Sequence, residues 1–219
     1  MKILYCGYRD WSLDVFEYLK RIFYVVDFDL VKDNESFSKL NYSDYKLLLF
    51  VGWSWIIQPD VVKNNICVCA HPSPLPKYRG GSPLQHQIIN GEKESALTLF
   101  IMDDKIDAGL IVTQVPFSLE GELDEVVKRM REATKDGLKL MLYAYVLDHK
   151  LPSTPQDESQ KTYFKRRTPE QSEITIEEIQ NSTPEQLYNK IRALQDPYPN
   201  AFIRCKDDKK LYLTLSKPE

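Results

Sequence analysis

Continuous apolar runs alternate with helix-like segments in the first half of the chain. Three such runs are KILYCG at residues 2–7, KLLLFVG at 46–52 and ICVCA at 66–70. Runs of this kind are typical of strands that are buried on both faces of a parallel sheet. Strands that alternate with helices favour parallel pairing through right-handed crossovers. The pattern therefore predicts an α/β fold, with a Rossmann-like, mostly parallel sheet flanked by helices.

The segments between these runs are expected to be helical. In YRDWSLDVFEYLKRIF, apolar residues recur at the spacing of one helix face, at Leu13, Phe16, Leu19 and Phe23. Ser12 or Asp10 is the expected cap of this helix. QPDVVKNN is expected to form a short helix with Pro59 in its first turn.

Further elements are expected after residue 80. They are a helix from Leu84 to Asn90, strands from Ala96 to Met102 and from Gly109 to Val115, and an amphipathic helix over 122–149. From residue 151 the chain becomes polar and contains prolines, with a helix in STPEQLYNKIRALQ and a hairpin in IRCKDDKKLYLTL. We expect residues 1–150 to form one domain and residues 151–219 a small C-terminal α+β extension packed on it.

Charge and apolar content exclude several classes of protein. The chain has 219 residues and a formal net charge of −3, whereas a nucleic-acid surface needs clustered Lys and Arg. No stretch approaches the roughly 18 apolar residues of a membrane span, and the N-terminus has no signal peptide. The four cysteines follow no disulfide framework, which fits a reducing compartment. We expect a soluble cytoplasmic protein that binds neither nucleic acid nor membrane.

The turn after the first strand has no nucleotide-binding motif. Gly7 opens the segment GYRDWS, which matches neither G-x-G-x-x-G nor G-x-x-x-x-G-K-[ST]. We interpret the segment as a simple turn from strand to helix.

A lone histidine follows the apolar run at 66–70 directly. Ligands of open α/β sheets bind at the carboxyl ends of the strands, and His71 lies at such an end. An imidazole can move protons near neutral pH when a carboxylate orients it. Asp103, Asp104 and Asp107 follow a later strand and are candidates for that carboxylate. A histidine here can instead be held by a loop carbonyl, and the residues alone leave both interpretations open.

Cys67, Cys69 and His71 alternate along the same strand and are expected to point to one face of it. Thiolates and imidazole are zinc ligands, but a structural zinc site needs a fourth ligand and usually a wider cysteine spacing. We therefore expect no metal. Cys67 and Cys69 are then interpreted as small buried apolar residues.

The stretch HPSPLPKYRGGSPLQHQIINGEKESALTLFIMDDKIDAG, residues 71–109, resembles the signature of the N10-formyltetrahydrofolate-dependent formyltransferases. This family includes methionyl-tRNA, glycinamide ribonucleotide and sugar N-formyltransferases. The resemblance extends through LLLFVGWSWIIQPDVV upstream and through YFKRRTPEQSEI and IRALQDPYPNAF downstream, and so covers most of residues 46–204. It implies a formyltransferase catalytic domain in residues 1–150 that uses N10-formyltetrahydrofolate as formyl donor.

The resemblance also implies a catalytic set. The family uses an Asn-x-His pair and a later Asp. His71 and Asp107 match the family's His and Asp, whereas Cys69 stands at the position of the Asn. A thiol is a weaker hydrogen-bond donor than an amide, so the contribution of Cys69 to binding the formyl oxygen is open.

The same resemblance implies contacts to the folate donor. The implied residues are Gly52, Trp53, Ile56, Ile57, Arg79, Gly80, Gly81 and Asp103. Gly80 and Gly81 are expected to let the backbone pass close to the bound donor. The two tryptophans of GWSWII can equally be core aromatics.

The implied acceptor is a nucleotide-linked amino sugar of the dTDP or UDP type. Formylation of methionyl-tRNA uses a further C-terminal domain in the family, and this chain ends soon after DPYPNAF with a negative net charge, so we do not expect tRNA. Arginine forks suit phosphate oxygens and an aromatic face suits a base. The candidate acceptor contacts are Lys77, Gln85, Lys165, Arg166, Arg167 and Tyr198.

Alternatives to this interpretation remain at the level of sequence. The basic run at 165–167 can be a solvated surface. The protein can be a formyltetrahydrofolate hydrolase, or a binding module for folate or a nucleotide sugar that lacks catalysis. Sugar-modifying relatives are often dimers, so a homodimer is a further expectation.

Overall fold

Ten strands and seven α-helices are described in residues 1–214 of this computed structural model. The strands are β1 (Lys2–Cys6), β2 (Asp27–Val31), β3 (Leu47–Val51), β4 (Cys67–His71), β5 (Arg79–Gly80), β6 (Glu94–Ile101), β7 (Ile111–Ser118), β8 (Tyr163–Phe164), β9 (Phe202–Arg204) and β10 (Lys210–Tyr212). The helices are α1 (Asp10–Ile22), α2 (Asn34–Ser38), α3 (Pro59–Asn64), α4 (Pro83–Ile89), α5 (Leu123–Asp148), α6 (Ile176–Asn181) and α7 (Pro184–Ala193).

The central sheet has six strands in the spatial order β2-β1-β3-β4-β6-β7. The pairs β1–β2, β1–β3 and β3–β4 are parallel, whereas β4–β6 and β6–β7 are antiparallel. The predicted Rossmann-like, mostly parallel sheet flanked by helices is therefore confirmed. The sequence did not indicate the reversal at β6, because a buried strand has the same apolar pattern in either direction.

Both faces of the sheet are covered, as the continuous apolar runs predicted. Ile3 and Tyr5 of β1 pack on the side of α1 and α5, while Leu4 and Cys6 pack on the side of α2. This alternation follows from the two-residue period of a strand. The helix predicted over 122–149 is α5, which spans Leu123–Asp148.

The predicted cap of α1 is wrong. The capping position is held by Arg9, which makes no side-chain hydrogen bond to the helix end. Asp10 is the first helical residue, and Ser12 is fully buried. The Ser12 hydroxyl donates to the Val51 carbonyl at 2.7 Å. This contact fixes the start of α1 against the end of β3.

Several elements escaped the sequence patterns. β2 alternates acidic and apolar residues and lies at the sheet edge, so it lacks a continuous apolar run. α2 and α6 are only a turn or so long. The predicted strand over 109–115 begins two residues later, at Ile111, because residues 107–109 belong to the preceding turn.

The segment after α5 carries the predicted helix, as α7, and the predicted hairpin, as β9 and β10. Residue 215 of that hairpin and the remainder of the extension, 216–219, lie outside the described residues. The segment also returns to the first half of the chain, since β8 pairs in parallel with β5. A division into two domains near residue 150 stays a proposal.

Two observations concern the classes of protein considered above. Within residues 1–214, no helix is both long enough and apolar enough to cross a membrane. All four cysteines are free thiols.

Candidate active site

A cavity of about 720 Å³ opens where β1, β3 and β4 end. Its wall includes Gly52 and Trp53 after β3, His71 at the end of β4 and Asp107 in the turn between β6 and β7. The volume lies in the range of small-molecule sites, roughly 300–1,000 Å³. The carboxyl ends of parallel strands are the expected location for such a site.

His71 is buried and held through one ring nitrogen. Its Nε2 lies 2.9 Å from the carbonyl oxygen of Tyr78. A carbonyl can only accept, so Nε2 carries a proton and donates. The second nitrogen, Nδ1, lies 3.6 Å from Oδ2 of Asp107. Nδ1 is therefore the position at which this imidazole can gain or lose a proton.

Asp107 is fixed in an unusual backbone conformation. Its φ is +53°, in the left-handed region that aspartate tolerates better than most residues. Its Oδ2 accepts a hydrogen bond from the Gly80 amide at 2.8 Å. The carboxylate is thus held beside the imidazole, where it can stabilise a positive charge on His71.

Cys69 shares the cavity-facing side of β4 with His71. It is paired in register with Phe50 of β3 and Phe100 of β6, and all three line the cavity. Burial, followed by the negative charge of Asp107, raises the pKa of the Cys69 thiol well above its ordinary range. The group therefore stays a neutral thiol rather than a thiolate nucleophile.

Cys67 lies in the apolar core instead of the cavity. Its thiol is 3.9 Å from the Val61 carbonyl, and burial raises its pKa to about 12. Among the described residues, no group of three or more His, Cys, Asp or Glu side chains could hold a metal ion.

The glycines near the site are required by chain packing, and the close approach of Gly80 and Gly81 to a bound donor stays a prediction. A Cβ on Gly80 would lie 2.2 Å from the Phe164 carbonyl oxygen, and one on Gly81 would lie 2.4 Å from Cα of Arg166. A Cβ on Gly109 would lie 1.8 Å from the Ile101 carbonyl oxygen. Gly80 and Gly81 also line the cavity, so they shape it by admitting the neighbouring backbone.

The residues predicted to bind the donor fall into two groups. Those on the cavity wall are Gly52, Trp53, Ile56, Ile57, Gly80, Gly81 and Asp103. Trp53 packs on Phe37 and Phe50, with ring centres 5.6 and 6.2 Å apart, so it is also a core aromatic. Its buried Nε1 has no acceptor among the described residues.

Arg79 is not part of the wall. It is 6 % exposed, and its guanidinium donates to Gln156 and Glu158 instead of pointing into the cavity. We therefore correct its predicted contact to the donor.

The acceptor residues predicted from the sequence are also divided. Gln85, Arg166, Arg167 and Tyr198 line the cavity, whereas Lys77 and Lys165 do not and are exposed to solvent. The structure does not place those two lysines on the wall, and their contact to an acceptor stays a prediction.

The sequence analysis missed Arg9. Its guanidinium lies over two rings, 5.2 Å from the centre of Tyr8 and 5.7 Å from the centre of Tyr198, on the cavity wall. Within residues 1–214, the arginines that form ion pairs are Arg79, Arg131 and Arg204. Arg9, Arg166 and Arg167 have no carboxylate partner there. The sequence signal for Arg9 was its position just after the first strand, where ligands of such sheets bind. The segment has no known phosphate-binding motif, so this signal was weak.

Comparison with known proteins decides the family. The model of the formyl transferase family matches residues 26–142, which is more than half of the chain. The chain belongs to this family. The matched region contains strands β2 to β7 and includes Cys69, His71 and Asp107.

Curated relatives carry the name methionyl-tRNA formyltransferase. The protein from Halalkalibacterium halodurans is 36% identical over 176 residues, which cover 78% of this chain and 54% of the relative. The protein from Moorella thermoacetica is 31% identical over 188 residues, which cover 83% of this chain and 58% of the relative. The chain spans about half the length of the curated relatives that it matches.

Solved formyl transferase structures share the fold. A methionyl-tRNA formyltransferase from Clostridium thermocellum superposes with a TM-score of 0.80 at 27% identity, covering 97% of this chain and 96% of that one. A 4-N formyltransferase from Francisella tularensis gives a TM-score of 0.79 at 20% identity, covering 100% and 98%. The latter likeness shows the fold alone.

Proposed function

We propose that this protein transfers a formyl group from N10-formyltetrahydrofolate to a primary amine. The observation that carries this proposal is the pair of the buried His71 and the half-buried Asp107, 3.6 Å apart on the wall of the strand-end cavity. The residues of the cavity wall suit a folate. The aromatic and apolar wall around Trp53 suits a flat ring.

The proposed chemistry follows from the two nitrogens of His71. Transfer forms a bond between the amine and the formyl carbon and breaks the bond to N10 of the folate. The amine must therefore lose a proton, and N10 must gain one. Nδ1 of His71 can accept the first proton and return it, because Nε2 is already occupied by the Tyr78 carbonyl. Asp107 stabilises the charged ring in between.

For the acceptor, we propose a nucleotide-linked amino sugar. The support is the basic wall formed by Arg9, Arg166 and Arg167 next to the ring of Tyr198. Burial lowers the pKa of the Arg167 guanidinium, so a phosphate beside it would offset the cost of burying its charge. Arginines without carboxylate partners suit a diphosphate, and an aromatic ring suits a base.

A second acceptor is favoured by the relatives. The curated proteins that match this chain are named for methionyl-tRNA formylation. Because the chain spans only about half of them, the acceptor does not follow from the match. Both candidates present a primary amine to the same cavity.

One experiment separates these possibilities. The protein is incubated with N10-formyltetrahydrofolate and either methionyl-tRNA or a panel of dTDP- and UDP-amino sugars, and folate release and formylated product are measured. Product with a sugar supports the first proposal, and product with tRNA alone replaces it by the second. Acceptor-independent folate release indicates a hydrolase, and folate binding without turnover indicates a binding module.

The same assay tests the catalytic pair. His71→Ala and Asp107→Ala should each lower turnover by about 10²-fold or more, while the Kd for folate changes little. A rate within a few-fold of the unmodified protein would contradict the roles assigned to them. A homodimer and a cytoplasmic location remain proposals. Light scattering of the purified protein tests the dimer.

A further inference from the structure

Gln156, in the segment after α5, reaches the turn that carries Asp107. Its Nε2 donates two hydrogen bonds, at 2.9 Å to the Asp107 carbonyl and at 2.8 Å to the Gly109 carbonyl. Both protons of one carboxamide are thus used on both sides of the same short turn. Such a bidentate contact fixes the turn with respect to rotation as well as position.

The other end of the Gln156 side chain is also occupied. Its Oε1 accepts from Arg79 twice, at 3.1 Å from Nε and at 2.7 Å from Nη2. The Arg79 guanidinium in turn contacts Glu158, with its shortest bond at 2.6 Å. Hydrogen bonds to a charged donor are the stronger kind. The amide orientation is therefore determined by its partners, because an arginine can only donate and a carbonyl can only accept.

The backbone next to Gln156 is anchored as well. Thr154 and Ile111 exchange two backbone hydrogen bonds of 2.8 Å each, which places the segment against the start of β7. Gln156 therefore approaches the turn from a fixed support. The turn itself needs support, because Asp107 has a φ of +53°, and such conformations persist only when the surroundings hold them.

We propose that Gln156 is a positioning residue, which holds Asp107 at the distance and orientation required by His71 and is itself oriented by Arg79 and Glu158. This inference rests on the proposed formyl transfer for its catalytic consequence. Its geometric part does not depend on the reaction. The buried Arg79, predicted from the sequence to contact the donor, contacts Gln156 in the structure.

The kinetic test uses Gln156→Glu, which keeps the size and the contact with Arg79 but removes both donors to the turn. Displacing a catalytic group by about 1 Å can lower a rate about 10²-fold. We expect kcat to fall about 10- to 100-fold, while KM for the folate donor stays within about two-fold. Gln160→Glu is the matched control, because Gln160 is exposed and its side chain makes no hydrogen bond within residues 1–214. It should leave kcat unchanged.

A second measurement reports the position of Asp107 without any turnover. The Gly80 amide donates to the Asp107 carboxylate at 2.8 Å, and Gly80 is the only glycine that follows an arginine. Labelling arginine with carbonyl 13C and glycine with 15N therefore gives one coupled amide signal. In Gln156→Glu this signal should move upfield in the proton dimension and exchange faster with solvent. It should stay in place in Gln160→Glu.

The outcomes separate the two proposals. A shifted Gly80 signal without any formyl transfer in the unmodified protein would refute the proposed function and retain the positioning of Asp107. An unshifted Gly80 signal, or an unchanged kcat in Gln156→Glu when the unmodified protein is active, would overturn the role of Gln156. The double variant Arg79→Lys, Gln156→Glu should have a kcat no lower than that of Gln156→Glu alone. If the two substitutions lower kcat independently, so that their effects add, Arg79 does not act through Gln156.

Discussion

Replacing Cys69 by asparagine should make the protein a faster enzyme. Cys69 stands on the cavity side of β4, two residues before His71, and the family resemblance implies an asparagine at this position. Its thiol remains protonated, because burial and Asp107 raise its pKa. An S–H group is a weak donor, whereas a carboxamide offers two N–H donors to the oxygen that becomes negative during transfer.

The expected size of the effect follows from this difference. Removing one donor to a developing oxyanion costs about 10²- to 10³-fold in rate. A thiol retains part of that stabilisation, so restoring the amide should raise kcat by about 10- to 100-fold. The larger side chain has room, since Cys69 and its register partners Phe50 and Phe100 all border the cavity. The extra atoms can extend into that space without displacing the sheet.

Single-turnover formyl transfer is the appropriate assay, because it separates the chemical step from product release. Cys69→Asp is the control, with the shape of asparagine but no N–H donor, and it should give no gain. An equal or lower rate for Cys69→Asn, in a protein that still binds folate and melts normally, would refute the reasoning. The oxyanion would then be stabilised by other groups.

Asp107→Asn can still accept the Gly80 amide but loses the charge beside the imidazole, so kcat should fall by about 10²- to 10⁴-fold. A loss of folate affinity in titrations, with kcat retained, would contradict this. Glu158 has a pKa lowered to about 2 by its hydrogen bonds with Arg79 and then Lys161. Its contribution to stability should be complete above its ordinary pKa of 4.5 and lost as the pH falls toward 2. Melting curves of Glu158→Gln and the unmodified protein should therefore differ near neutral pH and converge in acid. Gly80→Ala should destabilise by about 1–3 kcal/mol from its φ of +97° alone, and by more from the clash with Phe164. An unchanged urea midpoint would refute that account.

The fold could be predicted from the sequence because its signals are local, and the family resemblance implied the proximity of His71 and Asp107 that the structure shows. Buried strands such as β3 are continuous apolar runs. The stretch that resembles the family signature runs from His71 to Gly109 without a gap. The pairing of β6 against β4 could not be predicted, since strand direction depends on the connection and not on the strand's own residues.

The predictions for single side chains failed where a distant segment decides their role. Arg79 looked like a ligand contact, but Gln156 and Glu158 occupy it. Arg9 belongs to no ligand-binding motif. Its contact with the Tyr198 ring depends on the C-terminal segment, so the contact could not be predicted from the sequence around Arg9. Such contacts join parts of the chain that no short sequence window contains.

The two-residue pairing of β5 with β8 has a consequence for the order in which the protein matures. Tyr78 and Thr162, next to this pairing, are bonded across 84 positions of sequence. A ribosome delivers the sheet and His71 early, and folding of the emerged part proceeds during synthesis. β8, which pairs with β5, emerges only after α5 has been synthesised. A nascent chain therefore contains His71 and Asp107 before Thr162, the hydrogen-bond partner of Tyr78, has emerged, and we expect the two side chains to be held less firmly than in the complete fold.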